Sequence, residues 1–237
     1  MARQVRSEAT RRKIFDAAID VFGDVGFAAA GWGTIIERTG MTKGALYHHF
    51  DSKEALASAV IQEGSQSLLN AFRNVCGASS PGLENMVHGT FTVVKTLNSD
   101  KMARTAVQLA SGLSGYNEAV SRFYASLVAE MADQARRAVA EGDVRDDVDP
   151  EVVSESIVGA VFGTLLLSDA VSRNGAAPNG DADEPTVRLR HLWELLLPGV
   201  VSDASLAYFR QFLRREAVRH TPVAAAREGA GAEPTTT

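Results

Sequence analysis

Apolar residues recur along this chain at intervals of three and four, the spacing of a helix face, and no stretch alternates with the two-residue period of a half-buried strand. Ile14, Ala17, Ala18, Val21, Phe22 and Val25 mark a first helix that Gly26 stops. A short helix is predicted over 32–39, closed by Gly40, and another over 43–50, with Thr42 placed as its cap. Ser52 caps a long helix carrying Leu56, Val60, Ile61, Leu68 and Phe72, which the Gly/Ser/Pro stretch 77–82 ends. Longer helices follow. Val87, Phe91 and Val94 share one face; Met102, Ala106, Leu109 and Ala110 share another; Phe123, Leu127, Met131, Ala135 and Val139 form a third stripe. After the acidic turn 141–150, Asp149 and Pro150 supply a cap and a first-turn proline for a helix over 151–169 that is apolar nearly all round. A Gly/Pro/Asp loop over 174–184 precedes two last helices. Leu189, Leu192, Trp193, Leu196 and Leu197 mark one, and Leu206, Phe209 and Leu213 the other. Residues 221–237 lack periodicity and read as a disordered tail.

The pattern predicts an all-α chain. With 45% hydrophobic and 22% charged residues it can build a real core. The longest apolar run, 157–167, falls short of the roughly 20 residues that span a bilayer, so no membrane partner is expected. No apolar stretch follows the first residues, so no signal peptide is expected and a cytoplasmic protein is the default. A single cysteine, Cys76, excludes an internal disulfide and a multi-cysteine zinc site.

Charge changes the picture more than composition does. The net charge is −5, yet residues 1–60 hold eight Lys/Arg against seven Asp/Glu, and Arg3, Arg6, Arg11, Arg12 and Lys13 face Glu8 alone within residues 1–13. A short basic arm on an acidic body results, with Arg3 and Arg6 placed to follow a nucleic-acid groove. The helix pair over 35–50 extends this reading. Ile35, Ile36, Met41 and Leu46 are spaced to hold two short helices together, and the second then presents Thr42, Lys43, Gly44, Tyr47 and His48 outward. A cation and hydroxyls bind phosphate, a ring packs on the backbone and a glycine permits close approach, which is the chemistry of a helix-turn-helix DNA reader.

Motifs for catalysis are missing. The segment 112–115 lacks the glycine spacing of a nucleophile elbow, and Gly31-Trp32-Gly33 lacks the third glycine of a dinucleotide fingerprint and follows a helix. The five histidines (48, 49, 88, 191 and 220) show no metal-ligand pattern, so neither an enzyme, a cofactor nor a metal is expected. A helical protein-interaction module without DNA binding is the alternative of another class.

The words Thr10-Arg11, Ile14, Ala17-Ala18, Phe22, Gly26-Phe27, Ile35-Ile36, Gly40, 42–50 (Thr-Lys-Gly-Ala-Leu-Tyr-His-His-Phe) and Ser52-Lys53-Glu54 with Leu56 closely resemble the DNA-binding domain of TetR-family regulators. Within that family the opening Met-Ala-Arg-Gln and the segment from Trp193 to Pro198 resemble γ-butyrolactone receptors of actinomycetes. The resemblance implies a helix-turn-helix domain over 1–58 and a helical ligand-binding and dimerisation domain over 59–220, with the tail beyond. It implies a homodimeric repressor on a palindromic operator in double-stranded DNA, one or two dimers per site, released by a small, mostly apolar effector. The effector is a γ-butyrolactone-type signal, another ligand class, or none. DNA contacts then fall to Arg3, Arg6, Trp32, Thr42, Lys43, Gly44, Tyr47, His48, His49 and Lys53. The expected pocket lining is Phe91, Val94, Gln108, Leu109, Tyr124, Leu127, Val128, Phe162 and Thr164, each weighed against plain core packing. Ile157, Val161, Leu165 and Trp193 are assigned to the dimer interface.

Overall fold

The computed structural model describes residues 2–77, 79–113, 117–173 and 185–220. The tail 221–237, the loop 174–184, Ser114 and the side chains of Arg3 and Arg6 lie outside the described residues. Among the described residues there are ten helices: α1 (Ala2–Ala29), α2 (Trp32–Thr39), α3 (Lys43–His49), α4 (Lys53–Val75), α5 (Gly82–Ser99), α6 (Lys101–Gly112), α7 (Glu118–Ala140), α8 (Pro150–Arg173), α9 (Pro185–Val200) and α10 (Asp203–His220). The all-α expectation holds. The chain divides into two compact units, one of residues 1–70 and 96–126, the other of 71–95 and 127–237.

In the first unit α1 packs against α2 and α6. Ile14, Phe15, Ala18, Phe22, Ile35, Leu46, Leu56 and Ile61 form its core. Gly26 interrupts α1 as expected, with φ of 75°, but one more turn continues to Ala29, and Val25, expected inside, is half exposed. Thr105 on α6 donates its hydroxyl to the Ile19 carbonyl at 3.4 Å, and Lys101 pairs with Asp20 at 2.5 Å. These bonds hold α6 along the same helix that supports α2.

The second unit is built on α9, which packs against both α8 and α10. Asp149 accepts from the Glu151 and Val152 amides at 2.9 and 3.0 Å, so the cap expected before Pro150 is made. Gly89 on α5 lies so close to the Phe72 ring that any β-carbon there would collide with it. The phenyl ring therefore rests directly on the α5 backbone. By length and composition 150–168 could cross a membrane (19 residues, mean hydropathy 1.5). In the fold, Val153, Ser154, Ile157, Val158 and Val161 of this helix are buried and it packs on α9.

Candidate nucleic-acid interface and effector cavity

The turn between α2 and α3 is fixed by local chemistry. Gly40 adopts the left-handed conformation (φ 66°), and its amide donates to the Ile36 and Glu37 carbonyls, ending α2. Thr39 donates to the Ile36 carbonyl at 2.9 Å and accepts from the Met41 amide at 3.2 Å. Thr42 caps α3 by accepting from the Ala45 amide at 3.3 Å. Leu46 and Phe50 are buried, which anchors α3 by one face.

The opposite face is open. Lys43, Gly44, Tyr47 and His48 are exposed, His49 is half-buried, and nothing would obstruct a β-carbon at Gly44. Trp32, at the start of α2, stacks obliquely on Tyr47 at 5.6 Å between ring centroids. The Lys43 ammonium lies 5.7 Å from the same Tyr47 ring. A cation, a phenol and an indole thus form one continuous outward patch, with Tyr47 itself 40% exposed. Burial holds His49 below the ordinary histidine pKa, and the charges of His48 and Arg11 act in the same sense.

Lys53 is committed in a different direction. Its ammonium donates to the carbonyls of Phe27 at 2.9 Å and Ala30 at 3.0 Å and sits 4.2 Å above the Phe27 ring. It closes the C-terminal end of α1, using two of its three N–H donors. Lys53→Met is expected to lower the stability of the folded chain by about 1–2 kcal/mol, the scale of charge-assisted hydrogen bonds at a half-exposed site. Denaturant unfolding checks this; unchanged stability with weakened DNA affinity would instead make Lys53 a phosphate contact.

In the second unit Phe72, Thr90, Val93, Leu127, Met131, Val158, Val161 and Phe162 line a nearly apolar cavity of about 20 Å³. A space of that size holds about one water molecule and no drug-sized ligand. Of the residues expected to line a pocket, Leu127 and Phe162 border this cavity. Phe91 and Val94 are buried without lining it, and Val128 and Thr164 are half-buried, Thr164 donating back to the Ala160 carbonyl at 2.8 Å. Gln108, Leu109 and Tyr124 belong to the first unit. There burial raises the Tyr124 phenol pKa, opposed by a hydrogen bond with Ser111. Phe72, Thr90, Val93, Met131 and Val158 were not expected as lining; their periodicity marks them only as core, and no sequence signal separates a cavity wall from a filled one.

Of the residues assigned to the dimer interface, Ile157, Val161 and Trp193 are buried within the protomer, Val161 as a wall of the cavity, and Leu165 is half-buried. Trp193 donates its indole N–H to the Thr90 hydroxyl at 2.9 Å, and Thr90 donates onward to the Val87 carbonyl at 2.7 Å. Among the described residues, the large apolar side chains that α8 and α9 expose are Val152, Leu166, Leu167 and Leu195. Cys76 is half-buried; burial, reinforced by the Glu130 charge, pushes its thiol pKa up to about 11 and leaves it protonated and unreactive at neutral pH.

Residues 14–60 match the model of the tetR family of bacterial regulatory proteins, and residues 79–202 match the tetracyclin repressor-like C-terminal domain. The A-factor receptor protein of Streptomyces griseus is 30% identical over 210 residues, covering 89% of this chain and 70% of that protein. The regulator UidR of Escherichia coli (strain K12) is 26% identical over 176 residues, 70% of this chain and 85% of its own. The crystal structure of a γ-butyrolactone receptor (ArpA-like protein) superposes with a TM-score of 0.73 at 25% identity, over 90% of this chain and 99% of that one. CprB from S. coelicolor A3(2) superposes at 0.68 with 26% identity, over 90% and 98%. A helix-turn-helix that turns lysine and tyrosine outward, joined to a helical unit whose family model spans over half the residues, leaves one assignment: the chain belongs to the TetR family of transcriptional regulators.

Proposed function

We propose that this regulator is a cytoplasmic homodimeric repressor that holds a palindromic operator through two copies of α3 and leaves it when a small, mostly apolar effector of γ-butyrolactone type binds. The observation that carries the reading is the α3 face: Leu46 is buried while Lys43, Gly44, Tyr47 and His48 stay outward. A two-fold dimer sets two such helices in successive major grooves about 34–36 Å apart. On α8, Val152, Gly159, Gly163 and Leu166 share one open face at helical spacing, and Leu195 and Gly199 stand open on α9. An apolar face of that kind supports pairing as a bundle across a two-fold axis. The printed names of the relatives, an A-factor receptor and a γ-butyrolactone receptor, support the effector class.

The small cavity sets a condition on this mechanism. An effector larger than the cavity enters it by displacing its walls, Phe72 and Phe162 among them. Release of a mostly bound dimer takes about 5.5 kcal/mol of differential affinity. Operator DNA weakens effector binding by the same factor, since the coupling is reciprocal.

Selection of duplexes from a random pool tests the reading, followed by γ-butyrolactones of varied side-chain length added to the selected complex. The expected result is a palindromic consensus whose affinity falls steeply with salt, and dissociation by one lactone series. Failure to enrich any duplex overturns the DNA reading; a selected complex that only other apolar compounds dissociate overturns the lactone reading alone. Sedimentation of the complex gives the number of dimers per operator.

A further inference from the structure

The five histidines form no metal-ligand spacing in sequence, but the fold joins two of them. On α10, Glu216 and His220 are four residues apart and so share one helix face. From α5, His88 reaches the same point. Its Nδ1 is 2.7 Å from Glu216 Oε2, and His220 Nε2 is 3.5 Å from that same oxygen. One donor atom from each of the three residues lies within 4.8 Å of the other two. All three belong to the second unit.

We propose that His88, Glu216 and His220 form a binding site for a divalent transition-metal ion of the zinc type. Two observations point to a ligand beyond the clustering itself. The His220 side chain is 93% buried, yet neither ring nitrogen has a hydrogen-bond partner. Buried polar atoms are nearly always satisfied, so the Nε2 of this imidazole, unbonded and facing a carboxylate, calls for an occupant. The Glu216 side chain is only 1% exposed, and its two oxygens are divided: Arg219 holds Oε1 at 2.7 Å, which leaves Oε2 turned to both imidazoles. An arginine on the outer oxygen fixes the carboxylate so that only Oε2 is turned toward an ion.

The donor set selects the ion. Two imidazoles and one carboxylate suit zinc, cobalt, nickel or copper, whereas magnesium and calcium require oxygen cages. Bonds of about 2.0–2.2 Å in a tetrahedral site place ligand atoms roughly 3.3–3.5 Å apart. The His220–Glu216 edge has that length already, and the His88–Glu216 edge opens when the ion replaces the proton between them. Closing the His88–His220 edge, at most 4.8 Å long, takes a movement of at most about 1.5 Å of one ring. Three protein ligands leave a fourth position open, as in zinc sites that keep a water or take an exogenous ligand. The bound ion would pin the last turn of α10 to α5, the helix that also presents Thr90 and Val93 to the cavity.

Tag-free, chelator-treated protein titrated with zinc sulfate by calorimetry, and with cobalt followed by its visible absorption, tests the site. One ion per chain is expected, with tetrahedral cobalt bands, a rise in melting temperature, and no response to magnesium. His88→Gln and His220→Gln should each weaken zinc binding at least about 100-fold, since loss of a mere outer-shell partner costs about 10–100-fold. His88 is the safer variant, because its side chain is 24% exposed and its replacement leaves the core filled. A His48→Gln/His49→Gln variant removes the exposed pair in the first unit and should bind as the parent does. Zinc affinity unchanged by His88→Gln, or lost only in the His48/His49 variant, overturns the proposal.

Discussion

Lys43→Ala and Tyr47→Ala are each expected to remove operator binding at physiological salt while leaving the fold and its melting temperature intact. Both side chains stand on the open face of α3, and neither belongs to the buried set that holds the helix down. One base or phosphate contact is worth about 1–3 kcal/mol. In a two-fold complex each substitution counts twice, so the loss is about 2–6 kcal/mol, or roughly 30- to 20,000-fold in affinity. Tyr47→Phe separates the two parts of the tyrosine. It keeps the ring against Trp32 and Lys43 and removes only the hydroxyl, so an intermediate loss assigns part of the effect to a phosphate hydrogen bond. Lys43→Ala should also reduce the salt slope by about one per protomer. Wild-type affinity in both alanine variants, measured by fluorescence anisotropy on the selected duplex, would mean that α3 does not read DNA.

That α3 face was legible because everything that builds it is local. A threonine three residues before an amide it can cap, a glycine that alone tolerates φ of 66°, and a leucine on the inward side are written within a dozen residues. Lys53 was harder to place. Its neighbours in sequence mark a helix start, but the carbonyls it binds, those of Phe27 and Ala30, lie at the end of α1 more than twenty residues earlier. The second unit was legible in its helices and not in their register. The stripes that carry Ile157 and Val161 on α8 and Trp193 on α9 have the same period whether they face a core, a cavity or a partner subunit. Only the packing of α8 on α9 decides among them. The cluster of His88 with Glu216 spans 128 residues of sequence, and half of its signal, the four-residue step from Glu216 to His220, is also the step of any helix face.

Trp193→Ala is expected to lower the stability of the fold by about 3–5 kcal/mol, the cost of emptying a fully buried large aromatic site. The indole has no exposed surface, and its N–H is satisfied by Thr90, a wall of the cavity. Such a loss takes a large share of the roughly 5–15 kcal/mol that holds a typical native chain together. Trp193→Phe refills most of the volume and leaves Thr90 its bond to the Val87 carbonyl, so its cost should fall to about 1–2 kcal/mol. An interface tryptophan would behave in the opposite way, giving a stable chain that no longer pairs. Leu195→Asp supplies that opposite case: it is 80% exposed, so the charge leaves the protomer folded while opposing association through α9. Denaturant unfolding read by circular dichroism, alongside sedimentation at several concentrations, separates the two patterns. If Trp193→Ala instead yielded folded monomers of undiminished stability, the indole would be a partner contact and the walls of the cavity would need a different support.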